Sequence, residues 1–184
     1  FKMILEYKKR KGATSPKRSN PSDAGLDVFY CPADPNVSAA RLDPGENQLF
    51  STGLRFGVPH GYMLQVCNRS SMGAKRSLIV GAHIIDSGYD GEIFIDLHNI
   101  GKETQFVSTG DKIAQLILVP VVHFRALETE EENLYSEPIT ISNRGDGALG
   151  STDKRTAPST AQADMADRHG LSDIVRKGWL PNGF

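Results

Sequence analysis

The chain has 184 residues, of which 39% are apolar types, and this length predicts one domain with one packed core. No window approaches the roughly 18 uncharged apolar residues of a transmembrane helix, which argues against a membrane partner. Lysine and arginine number 21 against 22 aspartates and glutamates, so overall charge argues against nucleic-acid binding. Cys31 and Cys67 are too few for a disulfide framework or a four-cysteine zinc site, and we expect reduced thiols in a cytoplasmic protein.

The N-terminal segment combines a strand pattern with basic residues. Residues 3–7 are typical of a short strand. A loop that follows carries the basic residues Lys8, Lys9, Arg10, Lys11, Lys17 and Arg18. We interpret this loop either as a solvated surface or as a region that attracts an anionic ligand over a long range.

From residue 25 to residue 127 the apolar runs are short, and Gly, Pro, Asn or Asp separates most of them. Ile, Val and Phe are frequent in these runs, and β-branched or aromatic side chains suit a pleated sheet. Residues 92–99 partly alternate polar and apolar types, as a half-buried strand does. The pattern predicts an all-β sandwich or barrel with strands at 26–30, 53–58, 62–67, 78–85, 92–99, 104–107 and 112–122.

The composition changes towards the end of the chain. Residues 128–132 hold four Glu and one Thr, which is typical of a solvated loop rather than a metal site, because unpaired like charges repel. Residues 153–163 are rich in Thr, Ser, Ala and Pro, and two short helices fit 162–169 and 172–177. We expect residues 153–184 to be an appendage, since so small a tail cannot bury a core of its own.

Several common catalytic patterns are absent from the sequence. It contains neither a Gly-x-x-x-x-Gly-Lys-Ser/Thr phosphate loop nor a Gly-x-Ser-x-Gly nucleophile elbow. The five histidines are scattered and none has a partner four residues away, so a zinc pair on a helix is unsupported. What remains is a set of polar, glycine-rich segments between the predicted strands.

Each of these segments has a functional interpretation and a plainer one. Arg69-Ser70-Ser71 fits an oxyanion cradle, because a guanidinium can bind phosphate through two hydrogen bonds, but it also fits an ordinary turn. Asp86 lies between an apolar pair and a glycine-rich turn, where a carboxylate either accepts a proton from water or closes an Asx turn. Tyr89 either stacks on a ligand or fills the core. Arg144, among glycines, belongs either to a mobile anion-binding loop or to a flexible tail.

The ordered set of segments is far more specific than its members. Along residues 3–152 it resembles, in order, the five motifs of the trimeric deoxyuridine triphosphatase (dUTPase) family. The matching segments are Ala24-Gly25-Leu26-Asp27, Arg69-Ser70-Ser71, Ile85-Asp86-x-x-Tyr89-x-Gly91-Glu92, Gly110-Asp111-Lys112-Ile113-Ala114-Gln115 and Arg144-Gly145-x-Gly147-x-x-Gly150-Ser151-Thr152.

The resemblance implies a jelly-roll-like β barrel that forms a homotrimer with active sites between subunits. It implies hydrolysis of dUTP to dUMP and pyrophosphate, in which Asp86 activates the water that attacks the α-phosphorus. It also implies Mg²⁺ as cofactor, held by substrate phosphates and waters without a direct protein ligand. On this basis we expect a nucleotide-binding core at 1–142, a mobile lid at 143–152 and an extension at 153–184.

The resemblance also implies roles for the other motif residues, with Asp27 as a supporting carboxylate and Tyr89 packed under the deoxyribose. The hairpin that would read uracil, mainly through backbone groups, includes His83, Ile84, Ile85 and Phe94. The side chains that would hold the phosphates are those of Arg69, Ser70, Ser71 and Gln115. The lid residues that would fold over the γ-phosphate are Arg144, Gly150, Ser151 and Thr152.

Three departures from the family pattern leave alternatives open. Leu149 stands where the fifth motif usually carries an aromatic residue that stacks on uracil, and an aliphatic side chain gives up about 0.5–1.5 kcal/mol of stacking. Candidates to supply the missing ring are Tyr135, Trp179 and Phe184. The extension past Thr152 is the second departure, because most relatives end soon after the fifth motif.

The third departure lies in the third motif, where Gly88 replaces a second Asp and gives a likeness to dCTP deaminases. Those enzymes need an acid that would fall at Asp96 here, and an Arg that would fall at Ala74, beside Lys75 and Arg76. A deaminase or bifunctional deaminase/pyrophosphatase is therefore the first alternative. A nucleotide-sensing regulatory protein of the same fold is the second.

Overall fold

The computed structural model of the chain describes residues 3–130, and those up to Ala126 belong to one compact unit. This part of the chain is built from strands with one short helix, so the all-β prediction is confirmed. The helix is α1 (Ser70–Arg76). The strands are β1 (Tyr7–Lys9), β2 (Leu26–Phe29), β3 (Ala39–Leu42), β4 (Asn47–Ser51), β5 (Leu54–Phe56), β6 (Tyr62–Cys67), β7 (Leu78–Val80), β8 (Ile84–Ile85), β9 (Phe94–Asn99), β10 (Gln105–Ser108) and β11 (Lys112–Pro120).

All strand pairs described are antiparallel, and most join strands that are distant in the sequence. The orders are β2-β11-β6-β8, β4-β9-β7, β1-β5 and β10-β3. Apolar residues from the four-stranded and the three-stranded sheet share one buried cluster, which includes Val28, Leu64, Phe50 and Ile95. Two sheets that share one core, with partners far apart in the chain, agree with the jelly-roll-like prediction.

The strand predictions differ from the structure in two main ways: one predicted strand is divided in two, and two short strands were not predicted. The predicted strand 78–85 is two strands, because β7 pairs with β9 in the three-stranded sheet and β8 pairs with β6 in the four-stranded sheet. The strands β3 and β4 were not predicted because each has a single buried residue, so no alternation of buried and exposed positions marks it in the sequence. The helix α1 was not predicted either.

The prediction of a strand at 3–7 followed by a basic loop is wrong in its boundaries. Strand β1 begins at Tyr7 and includes Lys8 and Lys9, because it pairs with β5 and sets Lys8 opposite Arg55. Exposed lysines at an edge strand are common, since they keep the edge from pairing with another chain.

Several other expectations concern the remaining segments. Both cysteines are free, with Cys31 buried and Cys67 half-buried. Residues 128–130 are exposed and lie in no strand or helix, whereas the helices proposed at 162–169 and 172–177 lie outside the described residues. Within residues 3–130, the structure contains no helix with the length and apolar character that a membrane crossing requires.

We expect Asn99→Ala to lower the free energy of unfolding by about 1–3 kcal/mol, because it leaves buried polar groups without partners. The Asn99 amide donates to the carbonyls of Leu42 (3.0 Å) and Glu103 (2.8 Å), and its oxygen accepts the N–H of Gly101 (3.0 Å). Urea unfolding at one fixed protein concentration measures the change. Asn36→Ala, in an exposed turn, is the control, and an equal loss in both variants would contradict the assignment.

Candidate functional site

The first, second and fourth sequence motifs meet in one cavity of about 160 Å³, here called the Arg69 cavity. Its lining residues are Ser19, Asp23, Gly25, Asp27, Arg69, Ser70 and Gln115. Three of the predicted phosphate ligands and the predicted supporting carboxylate are thus neighbours. Ser71 lies outside the lining, although its hydroxyl is 3.5 Å from the Arg69 guanidinium.

The pairing of β11 explains why these distant residues converge. Gln115 lies opposite Asp27 of β2 on one side and opposite Cys67 of β6 on the other. Residues directly opposite on paired strands project from the same face of a sheet, so Asp27 and Gln115 share a face, and Arg69 follows β6 by two residues. Gln115 Nε2 donates to the carbonyl of Asn68 at 2.8 Å, which ties β11 to the segment that carries Arg69.

Asp27 is the electrostatic centre of the Arg69 cavity. Its carboxylate accepts hydrogen bonds from Arg69 Nε (2.8 Å), Lys112 Nζ (2.7 Å) and Ser19 Oγ (3.2 Å). Burial alone would raise the pKa of the Asp27 carboxyl, but the hydrogen bond from Lys112 and the charge of Arg69 outweigh burial and hold the pKa below its ordinary value. Asp27 is therefore a fixed negative charge between two cations.

These contacts orient the Arg69 guanidinium. Nε is bound to Asp27, and Nη1 faces the carbonyl of Lys112 at 3.4 Å. Nη2 has no hydrogen-bond partner among residues 3–130, and the side chain keeps 24% of its surface exposed. One edge of the guanidinium is thus held and the other is available to a ligand.

Lys112 and Ser19 both contact the Asp27 carboxylate, and the sequence prediction named neither as a site residue. Strict alternation along β11 would place Lys112 on the face opposite Gln115. The register with β2 shifts between Lys112 and Ala114, and such a bulge reverses the alternation. The sequence signal that could have identified Lys112 is its position in the fourth motif.

The third motif forms a second cavity of about 210 Å³, here called the Asp86 cavity, lined by Ile84, Ile85, Asp86, Tyr89, Glu92, Ile93 and Phe94. Ile84 and Phe94 are exposed apolar side chains at its rim. The Asp86 side chain is exposed and has no hydrogen-bond or ion-pair partner within the described part of the chain. A free carboxylate beside apolar side chains can bind and orient a water molecule.

Tyr89 lies across the loop of the Asp86 cavity. Its hydroxyl donates to the carbonyl of Glu92 at 2.9 Å, and a Cβ on Gly91 would lie 2.3 Å from its oxygen, so the ring needs glycine there. The side chain is 47% exposed, so the interpretation of Tyr89 as a core residue is wrong. His83 does not line the cavity, and its Nδ1 lies 2.9 Å from the carbonyl of Val66.

The two cavities share no lining residue. Gln115 pairs with Cys67, and Ile85 pairs with Leu64 on the next strand. Three residues along β6 and two strand spacings across the sheet separate Gln115 from Ile85 by roughly 14 Å. In a single copy of the chain, Asp86 and Arg69 therefore line separate cavities.

The residues that the deaminase alternative requires are engaged elsewhere. The Asp96 carboxylate accepts from Asn47 Nδ2 (3.1 Å), contacts His98 Nε2 (2.9 Å) and does not line the Asp86 cavity. Arg76 contacts Gln105 and Asp111, away from the Asp86 cavity. A larger cavity of about 540 Å³ beside β1 contains none of the predicted site residues.

The remaining predictions concern the lid residues and the way in which a metal ion is held. The lid residues lie outside the described residues, and they are Arg144, Leu149, Gly150, Ser151 and Thr152. Between residues 3 and 130, no group of three or more His, Cys, Asp or Glu side chains is arranged to hold a metal ion.

Comparison with known proteins identifies the family. The family model described as dUTPase matches residues 11–152. The deoxyuridine 5'-triphosphate nucleotidohydrolase of Anaplasma marginale is 36% identical over 151 residues, which cover 81% of this chain and 95% of the relative. That of Gloeobacter violaceus is 36% identical over 139 residues, which cover 74% of this chain and 87% of the relative. The chain therefore belongs to the dUTPase family of enzymes.

Solved structures agree with the fold. A variant of the Staphylococcus bacteriophage 80alpha dUTPase, solved with dUpNHpp, has a TM-score of 0.68 at 24% identity and is covered over 97% of its length by 80% of this chain. A variant of the dUTPase from phage phi11 of S. aureus has a TM-score of 0.63 at 24% identity. The match covers 70% of this chain and 98% of the phi11 chain.

We expect Asp27→Asn to lower the stability at pH 7, because Arg69 and Lys112 lose the charge between them. Since the pKa of folded Asp27 lies below its ordinary value of 3.8, the stability that its charge contributes is present above that value and is lost as the pH falls through the folded pKa. The gap in urea midpoint between wild type and Asp27→Asn should be constant from pH 7 to pH 5 and shrink below about pH 4.

Asp34→Asn is the matched control for this experiment, because Asp34 is an exposed turn residue whose carboxylate contacts Asn36 and no cation from residues 3–130. Its midpoint should follow that of the wild type at every pH. A gap for Asp27→Asn that widens on acidification would contradict the ionised state of Asp27.

Proposed function

We propose that this protein hydrolyses dUTP to dUMP and pyrophosphate, with Asp86 as the group that activates the attacking water. The observation that carries the proposal is the convergence of Asp27, Arg69 and Gln115, from three motifs, on one cavity, with a guanidinium edge that no residue between 3 and 130 occupies. The family membership and the names of its relatives support dUTP as the substrate. The 80alpha enzyme was solved with a dUTP-like ligand, dUpNHpp.

The Arg69 cavity is proposed to bind the phosphates. The Arg69 Nη2 edge donates to phosphate oxygens, and charge-assisted bonds of this kind are the stronger class of hydrogen bond. Asp27 and Lys112 keep the guanidinium in place, so little side-chain entropy is lost on binding. Ser70 and Gln115 donate from the same wall, and Ser71 lies at its rim.

The Asp86 cavity is proposed to hold the nucleoside. Ile84 and Phe94 cover the uracil ring, and backbone groups of the hairpin that includes His83 and Ile85 recognise its polar edge. A hydrogen-bond donor or acceptor that the wrong base leaves unpaired costs roughly 1–3 kcal/mol, which gives the hairpin its selectivity. The Tyr89 ring packs under the deoxyribose and leaves no room for a 2′-hydroxyl.

In the proposed reaction, Asp86 orients a water molecule against the α-phosphorus and takes its proton. The water oxygen forms a bond to that phosphorus, and the bond from phosphorus to the bridging oxygen of the β-phosphate breaks. Pyrophosphate leaves with the bonding electrons. Arg69 offsets the negative charge that gathers on the phosphates in the transition state.

The distance between the cavities supports the proposal of a homotrimer with shared sites. The α-phosphorus must lie beside Asp86 while neighbouring phosphates contact Arg69, and the roughly 14 Å that separate the backbones of Gln115 and Ile85 argue against one copy making both contacts. We therefore infer that the Arg69 cavity of one copy faces the Asp86 cavity of another. Between them the outer face of the sheet carries half-buried Met63, Ile117 and Val119, which suit such an interface.

The donor set fits Mg²⁺ carried by the substrate. Asp27 is already neutralised by two cations, and the described residues offer no cluster of acidic ligands. A hard, strongly hydrated ion needs few protein ligands when phosphate oxygens are present, and it supplies further neutralisation of their charge. A structural Mg(II) ion is reported for the phi11 enzyme.

The remaining parts of the proposal concern the segments after the core. We infer a core at 1–142, a lid at 143–152 that closes over the γ-phosphate, and an extension at 153–184. Leu149 covers the uracil without stacking. The enzyme is proposed to act in the cytoplasm of a bacterial, phage-infected or viral host cell. The alternative of a nucleotide-sensing regulator stays a prediction without a structural observation that favours it.

With Mg²⁺ present, the purified protein should release pyrophosphate from dUTP and spare dCTP, dTTP and UTP. Asp86→Asn should lower kcat by about 10²–10⁴-fold or more, since a positioned base is lost, while binding of dUpNHpp is kept. Asp34→Asn is the matched control and should be fully active. Retained turnover in Asp86→Asn would remove Asp86 from its role, and ammonia release from dCTP would favour the deaminase.

Mixed assemblies test whether the sites are shared. Arg69→Ala and Asp86→Asn copies, each inactive alone, should regain activity when they are refolded together, because some sites then combine an intact Arg69 cavity with an intact Asp86 cavity. Random mixing restores about a quarter of the sites if each site draws on two copies. No recovery, despite mixed assemblies seen by native mass spectrometry, would place both residues in one copy.

A further inference from the structure

The loop that carries Asp86 and Tyr89 contacts the rest of the protein mainly through its ends. At its start, Ile85 is buried in β8 and pairs with Leu64 of β6. The loop ends at Gly91, and the two residues that follow it, Glu92 and Ile93, are bound to the turn between β4 and β5. Since both Asp86 and Tyr89 are exposed, packing alone does not fix their side chains.

The Glu92 carboxylate is the anchor at the end of the loop. It accepts hydrogen bonds from the hydroxyl of Ser51 and from the backbone N–H of Gly53 at 2.8 Å. Gly53 has a φ of +68°, which glycine adopts readily, and a Cβ there would lie 2.7 Å from that of Ala13. The Thr52 hydroxyl donates to the carbonyl of Ile93 at 2.7 Å and completes the attachment.

Arg10 holds this anchor from the outside. Its Nη2 donates to the carbonyl of buried Cys31 at 2.6 Å and to Ser51 Oγ at 3.1 Å, while Nη1 lies 3.6 Å from Glu92 Oε2. The side chain is only 34% exposed. The guanidinium therefore bridges the β2 end of the core and the last residue of the third motif.

Arg55 forms a second tether one strand away. Its Nε donates to the backbone carbonyl of Asp90 at 2.7 Å, and its Nη2 lies 2.6 Å from the Asp90 carboxylate. Arg10 and Arg55 both lie outside the five motifs, and neither lines the Arg69 cavity.

We propose that Arg10, assisted by Arg55, is a positioning residue that sets Asp86 and Tyr89 for catalysis by fixing Glu92 and Asp90. The proposal rests on the proposed function. A displacement at Glu92 reaches Tyr89 directly, because the Tyr89 hydroxyl is bound to the Glu92 carbonyl. It reaches Asp86 through the turn, where the Tyr89 N–H donates to the Asp86 carbonyl at 3.3 Å.

The test compares Arg10→Gln, Arg10→Lys and Arg55→Gln with wild type on dUTP, with Mg²⁺, together with the thermal unfolding midpoint of each. We expect Arg10→Gln to lower kcat by about 10- to 100-fold, because small misplacements of a catalytic group have effects of that size. KM should rise by a smaller factor than kcat falls, because Tyr89 shifts under the deoxyribose while the phosphate contacts of the Arg69 cavity are kept. Arg10→Lys keeps the charge and should recover part of the loss.

Arg41→Gln is the matched control. Arg41 also pairs through Nε with a neighbouring carboxylate, that of Asp43 at 2.9 Å, but on an exposed strand that contributes to neither cavity. It should leave both kcat and KM unchanged. An equal kcat loss in Arg41→Gln would overturn the proposal, because it would show a general effect of removing a surface arginine.

A double-mutant cycle tests whether Arg10 acts through Glu92. If it does, Arg10→Gln combined with Glu92→Gln should lower kcat no further than the more damaging single variant. Losses that multiply would overturn the coupling. Arg55→Gln removes a more exposed side chain and decides the question should Arg10→Gln fail to fold, since it should then lower kcat by a larger factor than it raises KM.

The outcomes separate this proposal from the proposed function. A wild-type protein that leaves dUTP intact would remove the function itself. An active wild type with unchanged kcat in both Arg10→Gln and Arg55→Gln would remove only the positioning role. A kcat loss that disappears on cooling, in step with a lower unfolding midpoint, would also overturn it, because that result indicates a purely structural role.

Discussion

The pairing of β11 with both β2 and β6 is the constraint on which the rest of the structure depends. It places Gln115 between Asp27 and Cys67 in one row across three strands. A slip by one residue would send Gln115 to the core and Leu116 to the outer face. Because Leu116, Ala114 and Val66 on the inner face are almost fully buried, the hydrophobic core itself fixes this register. The stability of the fold and the assembly of the Arg69 cavity therefore share one cause.

The two cavities use charge in opposite ways. In the Arg69 cavity, the Asp27 carboxylate is buried and bound by cations, so it acts as an internal fixture. In the Asp86 cavity, the carboxylate is exposed and has no partner between residues 3 and 130. A carboxylate already held by two cations is a poor base, while a free one can orient water. The environment of each carboxylate thus favours the role that the motif resemblance implied for it.

The sequence predicted those features that depend on residue order and local composition. Strand β6 was predicted at its observed bounds, and the motif resemblance brought Asp27, Arg69 and Gln115 together although 88 residues separate the first from the last. Features that depend on tertiary geometry were missed. Lys112 reaches Asp27 only because a bulge interrupts the alternation of β11, and the link from Arg10 to Glu92 joins segments with no shared pattern. The division into two cavities likewise follows from register, which a motif does not contain.

Gly25 determines how much change the wall of the Arg69 cavity can absorb. A methyl group at this residue would lie 2.4 Å from Oε1 of Gln115 and 3.0 Å from its Cβ, so even alanine would push the strand or the glutamine aside. Ser70, by contrast, borders solvent, so packing does not limit the size of its side chain. Packing therefore constrains this wall unevenly: it confines residue 25 to the smallest amino acid, while at residue 70 the proposed phosphate contact, rather than space, limits the replacements.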